Sequence, residues 1–178
     1  MSRRPLLSVI GDGTVLPGSL EYETARNVGR LAVSAGFRIV CGGLGGVMEG
    51  ACRGAHEAPE YKEGDTLGLL PGSDPSQANP WVDVSIATGL GHARNVLVAR
   101  SDVIVAIGGG AGTLSEIAFA WAHHRPTIAV GSAGWSGKLA GSAVDDRRAD
   151  DDPAGNVVHA AADAVEAVAL AVDLARTS

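Results

Sequence analysis

A beat that repeats along most of the chain limits what it can fold into. Short apolar runs end in glycine, and amphipathic stretches follow them. The runs are LLSVIG (6–11), FRIVCGG (37–43), DTLGLLPG (65–72), WVDVSIA (81–87), SDVIVAIGGG (101–110) and PTIAVG (126–131). Between them lie SLEYETARNVGRLAVSAG (19–36), which closes on Gly36, GVMEGACRGAHE (46–57), GHARNVLVAR (91–100) and TLSEIAFAWAHH (113–124), all with apolar residues at helical spacing. The strand-like runs are continuously apolar rather than alternating, as strands are when both faces of a sheet are covered. Strand, turn and helix in this order require parallel strands joined by crossover helices. The expected fold is therefore α/β: a doubly wound, mostly parallel sheet flanked by helices, Rossmann-like, in a single domain over residues 1–178.

Past Gly131 the pattern thins. VDDRRADDDPAG (144–155) reads as a solvated charged loop, and NVVHAAADAVEAVALAVDLA (156–175) as a short strand and a closing helix at about 160–175. The acidic cluster and the excess of Asp over Glu hint at a salt-adapted host. Aromatic residues are only 4% of the chain, so the core must be built from Val, Ile, Leu and Ala. A net charge of −6 with no basic stripe argues against a nucleic-acid face but leaves room for a small anionic ligand. Cys41 and Cys52 have neither metal-ligand nor C-x-x-C spacing and read as reduced thiols, and no metal site is expected. The N-terminal MSRRPLLSVIGDG reads as an opening strand, not a signal peptide, and no apolar run is long enough for a membrane span. A cytoplasmic location is expected.

Three glycine turns fall at strand ends, where ligands sit in doubly wound sheets: Gly11-Asp12-Gly13, Gly42 to Gly46, and Gly108 to Gly112. The last two lead into helices, whose first amides lack intrahelical partners and favour an anion. Glycines also serve tight βα turns with no ligand, but two such turns in one sheet suggest a phosphorylated one. The candidate binding residues are Gly43, Gly45, Gly46, Gly109, Gly110, Ala111, Gly112 and Thr113, with Arg94 adding charge. No G-x-G-x-x-G occurs in register, and Gly137-Lys138 lacks the rest of a P-loop, which disfavours a standard dehydrogenase and a P-loop NTPase. Arg94, near His92, falls in the first turn of its predicted helix, where the dipole disfavours a cation unless an anion is bound nearby. Thr113 and Glu116 admit two readings. They can form a capping box, or Thr113 can bind phosphate while Glu116 faces a ribose or base.

The pairing of GGLGGVMEGACRGA (42–55) with GHARNVLVARSDVIVAIGGGAGTLSEIAFAW (91–121), with GDTLGLLPG between, resembles the LOG-like ("lysine decarboxylase-like") Rossmann superfamily over about residues 6 to 131. That superfamily contains nucleoside 5′-monophosphate phosphoribohydrolases, whose pattern is H-E-R-K followed by P-G-G-x-G-T-x-E-E, and molybdenum-cofactor carrier proteins. Here His92 and Arg94 match, while Ala93 and Asn95 replace the glutamate and the lysine. Gly108 replaces the proline, Gly109, Gly110, Gly112 and Thr113 match, Ser115 replaces the first glutamate, and Glu116 keeps the second. If the chain were a hydrolase, the resemblance would make Arg94 and Glu116 the catalytic pair. The GGGAGT form instead looks like the carrier branch. It implies a binding protein for a phosphorylated small molecule, with the molybdenum cofactor (a pterin) or a nucleotide as the carried ligand, and a homo-oligomer, dimer or tetramer. Apolar surface on helices 19–36 and 113–124 beyond what one sheet needs points the same way.

Overall fold

The computed structural model describes residues 3–148 and 156–177. Seven strands form one sheet in the order β4-β3-β2-β1-β5-β6-β7, and every adjacent pair is parallel. The strands are β1 (Leu6–Gly11), β2 (Arg38–Cys41), β3 (Thr66–Leu70), β4 (Val84–Ala87), β5 (Val103–Ile107), β6 (Thr127–Val130) and β7 (Val158–Ala161). Six α-helices accompany them among the described residues: α1 (Leu20–Ser34), α2 (Val47–His56), α3 (Asn95–Val98), α4 (Ala111–Ala122), α5 (Gly134–Leu139) and α6 (Ala164–Thr177). The doubly wound reading holds, and the sheet is parallel throughout. Most of the expected charged loop at 144–155 lies outside the described residues.

Alternate residues of the central strands feed two cores. Leu7, Val9, Val103, Val105 and Ile107 pack beneath α1, α2 and α6, while Ile10, Ile104 and Ala106 pack against Val98, Ile117 and Ala120 of α3 and α4. Ser8 is the polar exception inside β1. Its hydroxyl donates to the carbonyl of Val98 at 2.6 Å and accepts from the Ser101 hydroxyl at 2.7 Å, so it is satisfied in the core. At the amino ends of the strands, the two N-terminal arginines are held in ion pairs, Arg3 with Asp102 and Arg4 with the buried Asp65.

The segment expected as one helix over 91–100 is a single 3-10 turn, Gly91–Arg94, followed by the short α3. Gly91 at φ 54° and the change of pitch turn the chain back under the sheet within a few residues. Arg94 thus ends a 3-10 turn and is buried, rather than sitting in the first turn of an exposed helix.

Helices α1 and α2 approach closely because three glycines line their contact. A Cβ on Gly29 or Gly54 would overlap the backbone of Ala51 or Arg26, and one on Gly50 would meet the Tyr22 carbonyl at 2.7 Å. Gly54→Ala is therefore expected to destabilise the protein. Overpacking of this kind costs about 1–3 kcal/mol, more than the roughly 1 kcal/mol that alanine gains in helix propensity. A lowered urea midpoint is the expected result, and an unchanged or raised midpoint would contradict this packing.

Candidate functional site

The sheet reverses its winding between β1 and β5, and at their carboxyl ends lies a cleft of about 420 Å³. One wall is the end of β1 and the turn Gly11-Asp12-Gly13-Thr14. The other is Gly110, Gly112 and Thr113 at the start of α4. Gly42, Met48, His92, Arg94, Asn95 and Glu116 complete it. Its size is within the range of small-molecule pockets.

Helix α4 begins at Ala111 with Gly110 as its N-cap residue, and no side chain caps it. Its first intrahelical backbone bond runs from Leu114 N–H to the Gly110 carbonyl, leaving the amides of Ala111, Gly112 and Thr113 ahead of the ladder. Thr113 is consequently inside the first turn and not an N-cap, and the capping-box reading fails: Glu116 turns to Arg94 instead. The glycines of this turn divide into two kinds. Gly108 (φ 61°) and Gly109 (φ 87°) adopt backbone that favours glycine, and their carbonyls accept the amides of Ser136 and Trp135 at the start of α5. Gly110 and Gly112 have negative φ, and a Cβ on either would meet nothing within 4 Å. Packing does not explain those two. Their missing side chains leave open space beside uncapped amides.

The Gly42–Gly46 turn behaves differently from the sequence expectation. The first amide of α2, Val47 N–H, donates to the Asp12 carbonyl at 2.9 Å, and a Cβ on Gly46 would collide with Asp12 and Gly13. Gly43 lies against Leu70 and Gly68, and Gly45 near the Gly13 carbonyl. The amino end of α2 is thus covered by the β1 turn, and from this segment it is Gly42 that lines the cleft, not Gly43, Gly45 or Gly46. Gly109 and Ala111 lie outside the lining as well. The β1 turn is legible in the sequence as glycine-bearing, but it does not lead directly into a helix, so no helix amino end marks it as a ligand wall.

Arg94 occupies the floor of the cleft with only 8% of its surface exposed. One terminal nitrogen, Nη1, donates to Glu116 Oε1 at 3.0 Å and to Asn95 Oδ1 at 2.8 Å, while the buried Nε has no partner. Gly42 makes room for the other terminal nitrogen, since a Cβ there would overlap it. Asn95 in turn donates to Ser115 Oγ at 2.8 Å, and Ser115 donates to the Gly112 carbonyl at 2.7 Å. The guanidinium is therefore fixed from below with donor capacity remaining.

Burial pushes the Glu116 carboxyl up to about 7, although Arg94 pulls in the opposite direction. Asp12 moves the other way. Its Oδ1 accepts the hydroxyl and the amide of Thr14 at 2.6 and 2.7 Å, which holds it below the usual carboxylate range. Beneath the wall, the Cys41 and Cys52 sulfurs stand 3.5 Å apart as buried free thiols. Trp121 lies away from the cleft, its ring nitrogen donating to Asn156 at 2.8 Å.

Comparison with known proteins places this geometry. The model of the SLOG cluster4 family matches residues 4–166. An uncharacterised protein of Archaeoglobus fulgidus is 41% identical over 112 residues, which span 61% of this chain and 71% of that protein. The solved structure of a molybdenum cofactor binding protein from Rippkaea orientalis superposes with a TM-score of 0.79 at 31% identity, covering 98% of this chain and 99% of that one. A molybdenum cofactor carrier protein from Chlamydomonas reinhardtii gives a TM-score of 0.78 at 32% identity, covering 99% and 100%. With the family model spanning nearly the whole described fold, the chain belongs to the SLOG cluster4 family, within the LOG-like superfamily its motifs resemble.

Proposed function

We propose that this protein binds a phosphorylated small molecule in the β1–β5 cleft, and that the ligand is a pterin phosphate of the molybdenum-cofactor class, carried rather than transformed. One observation carries the reading: Gly110 and Gly112 are glycines that neither backbone conformation nor packing requires, facing a cleft beside three uncapped amides. A phosphate at that position takes hydrogen bonds from the Gly112 and Thr113 amides and favourable charge from the helix dipole. The Arg94 guanidinium at the cleft floor supplies a further charged donor. The carrier identity of the structural relatives points to the same ligand class. A homo-oligomer belongs to this reading, supported by the exposed Leu97 on α3 and Phe119 on α4.

Gly112→Ala separates binding from folding. Alanine in the first turn of α4 gains roughly 1 kcal/mol of helix propensity, so the melting temperature is expected to hold or rise. Its methyl group fills the open space, and affinity for a fluorescent oxidised 6-alkylpterin phosphate is expected to fall at least about tenfold, or 1.4 kcal/mol. Arg94→Lys keeps the charge but loses the planar fork and is expected to weaken the same titration. Wild-type affinity in Gly112→Ala would remove the pocket from the account.

A second reading is favoured by the carboxyl of Glu116, held near neutrality at the cleft floor, where it suits proton transfer at physiological pH. In it, water cleaves the N-glycosidic bond of a nucleoside 5′-monophosphate to give free base and ribose 5-phosphate. Arg94 orients the nucleotide and Glu116 assists departure of the base. A panel of nucleoside monophosphates tests it. Release of base that disappears in Glu116→Gln, with the fold intact, supports hydrolysis, and no release from any member removes it.

A further inference from the structure

The cleft holds more negative charge than a phosphate site should. Asp12 and Glu116 both line it, and against them stands Arg94, already paired with Glu116. Asp12 is kept ionised by Thr14, so it offers no relief. The remaining lining includes Val9, Ile10 and Met48, apolar groups that weaken solvent screening. A phosphate dianion at the start of α4 would compete with the Glu116 carboxylate for the same guanidinium.

We propose that Glu116 is the proton acceptor that makes room for the ligand's charge: the cleft takes up a phosphate monoester as its dianion together with one proton from solvent, which binds the Glu116 carboxylate. The proton adds to a carboxylate oxygen, the Arg94–Glu116 ion pair is lost, and Arg94 Nη1 is freed to donate to the phosphate. Capture tightens as pH falls toward neutrality, and release is favoured as it rises.

The surroundings of Glu116 single it out. Its side chain is 9% exposed and one oxygen contacts Arg94. From β2 it is faced by the Cys41 thiol, from the 3-10 turn by Arg94, and across the cleft by Asp12 of the β1 turn and by His92. From α3 the neighbour is the neutral Asn95, and β5 presents an apolar strand. Burial already places this carboxyl at about 7, and a nearby dianion moves it further up.

The inference rests on the phosphate-binding reading, and calorimetry keeps the two separable. The fluorescent oxidised 6-alkylpterin phosphate is titrated into the wild-type protein in two buffers of different ionisation enthalpy. At about pH 8 the probe's phosphate is fully dianionic, since its second pKa is about 6. Uptake of close to one proton is expected there and much less at about pH 6, with Kd rising by up to tenfold per pH unit above about 7. Glu116→Gln is expected to bind with no proton uptake and a flat Kd over the same range, while Asp12→Asn keeps the uptake. Binding without uptake in the wild type overturns the proposal and leaves the phosphate reading standing. So does uptake that vanishes in Asp12→Asn and persists in Glu116→Gln. Absence of binding at every pH from about 5.5 to 9 overturns both. If Glu116→Gln does not fold, His92→Asn takes its place: uptake that persists in His92→Asn and Asp12→Asn supports Glu116 as the acceptor, and uptake that vanishes in either overturns the proposal.

Discussion

The parallel pairing of β1 with β5 determines everything at the cleft. The chain builds outward from β1 through β2 and β3 to β4, then returns beneath the sheet to lay β5 on the other side of β1. Its crossovers change face at that point, so α1 and α2 cover one side while α3 and α4 cover the other. The two turns that leave β1 and β5 must therefore diverge, and a crevice opens between them. The pairing continues to the last residue, Gly11 against Ile107, and a Cβ at Gly11 would overlap the Ile107 carbonyl. The strands can run together to the cleft's edge only because that residue is glycine.

Glycine is used for three different purposes around this crevice. At 29, 50 and 54 it lets two helices touch. At 42, 43, 46, 108 and 109 it lets loops fold over one another or adopt left-handed backbone, and in doing so it seats Arg94 and pins the α4 turn to α5. At 110 and 112 it does neither. Structural demand accounts for the first two groups, so only the third leaves a question that a ligand answers.

This division explains how much could be read from the sequence. Periodicity and glycine punctuation reveal the strands and long helices, because burial on both faces and helix termination are local demands. A glycine turn before a helix is likewise a local signal and points to Gly110, Gly112 and Thr113, whereas Arg94 and Glu116 are singled out by the helix dipole, the Thr-x-x-Glu spacing and the family motif. Which glycine turn stays open is not local. The amino end of α2 looks as available as that of α4 until Asp12, more than thirty residues earlier, places its carbonyl on Val47 N–H. Likewise Thr113-x-x-Glu116 carries the signature of a capping box, and it is the buried Arg94, brought in by the 3-10 turn, that claims Glu116. The contact between Cys41 and Cys52 is of the same tertiary kind.

The departures from the phosphoribohydrolase pattern become intelligible once those residues are seen together. Asn95 and Ser115 stand where that pattern carries lysine and glutamate, and here they are hydrogen-bonded to each other. Both residues are neutral, so neither adds charge to the floor beside Arg94 and Glu116. With serine at 115, α4 presents a single carboxyl at the floor, that of Glu116. What remains is one arginine, the Glu116 carboxyl poised near neutrality, the ionised Asp12 in the β1 turn and a row of main-chain donors. That set lacks the first glutamate of the hydrolase pattern and is well supplied with groups that grip phosphate. The balance of the site thus favours holding a ligand over cutting it.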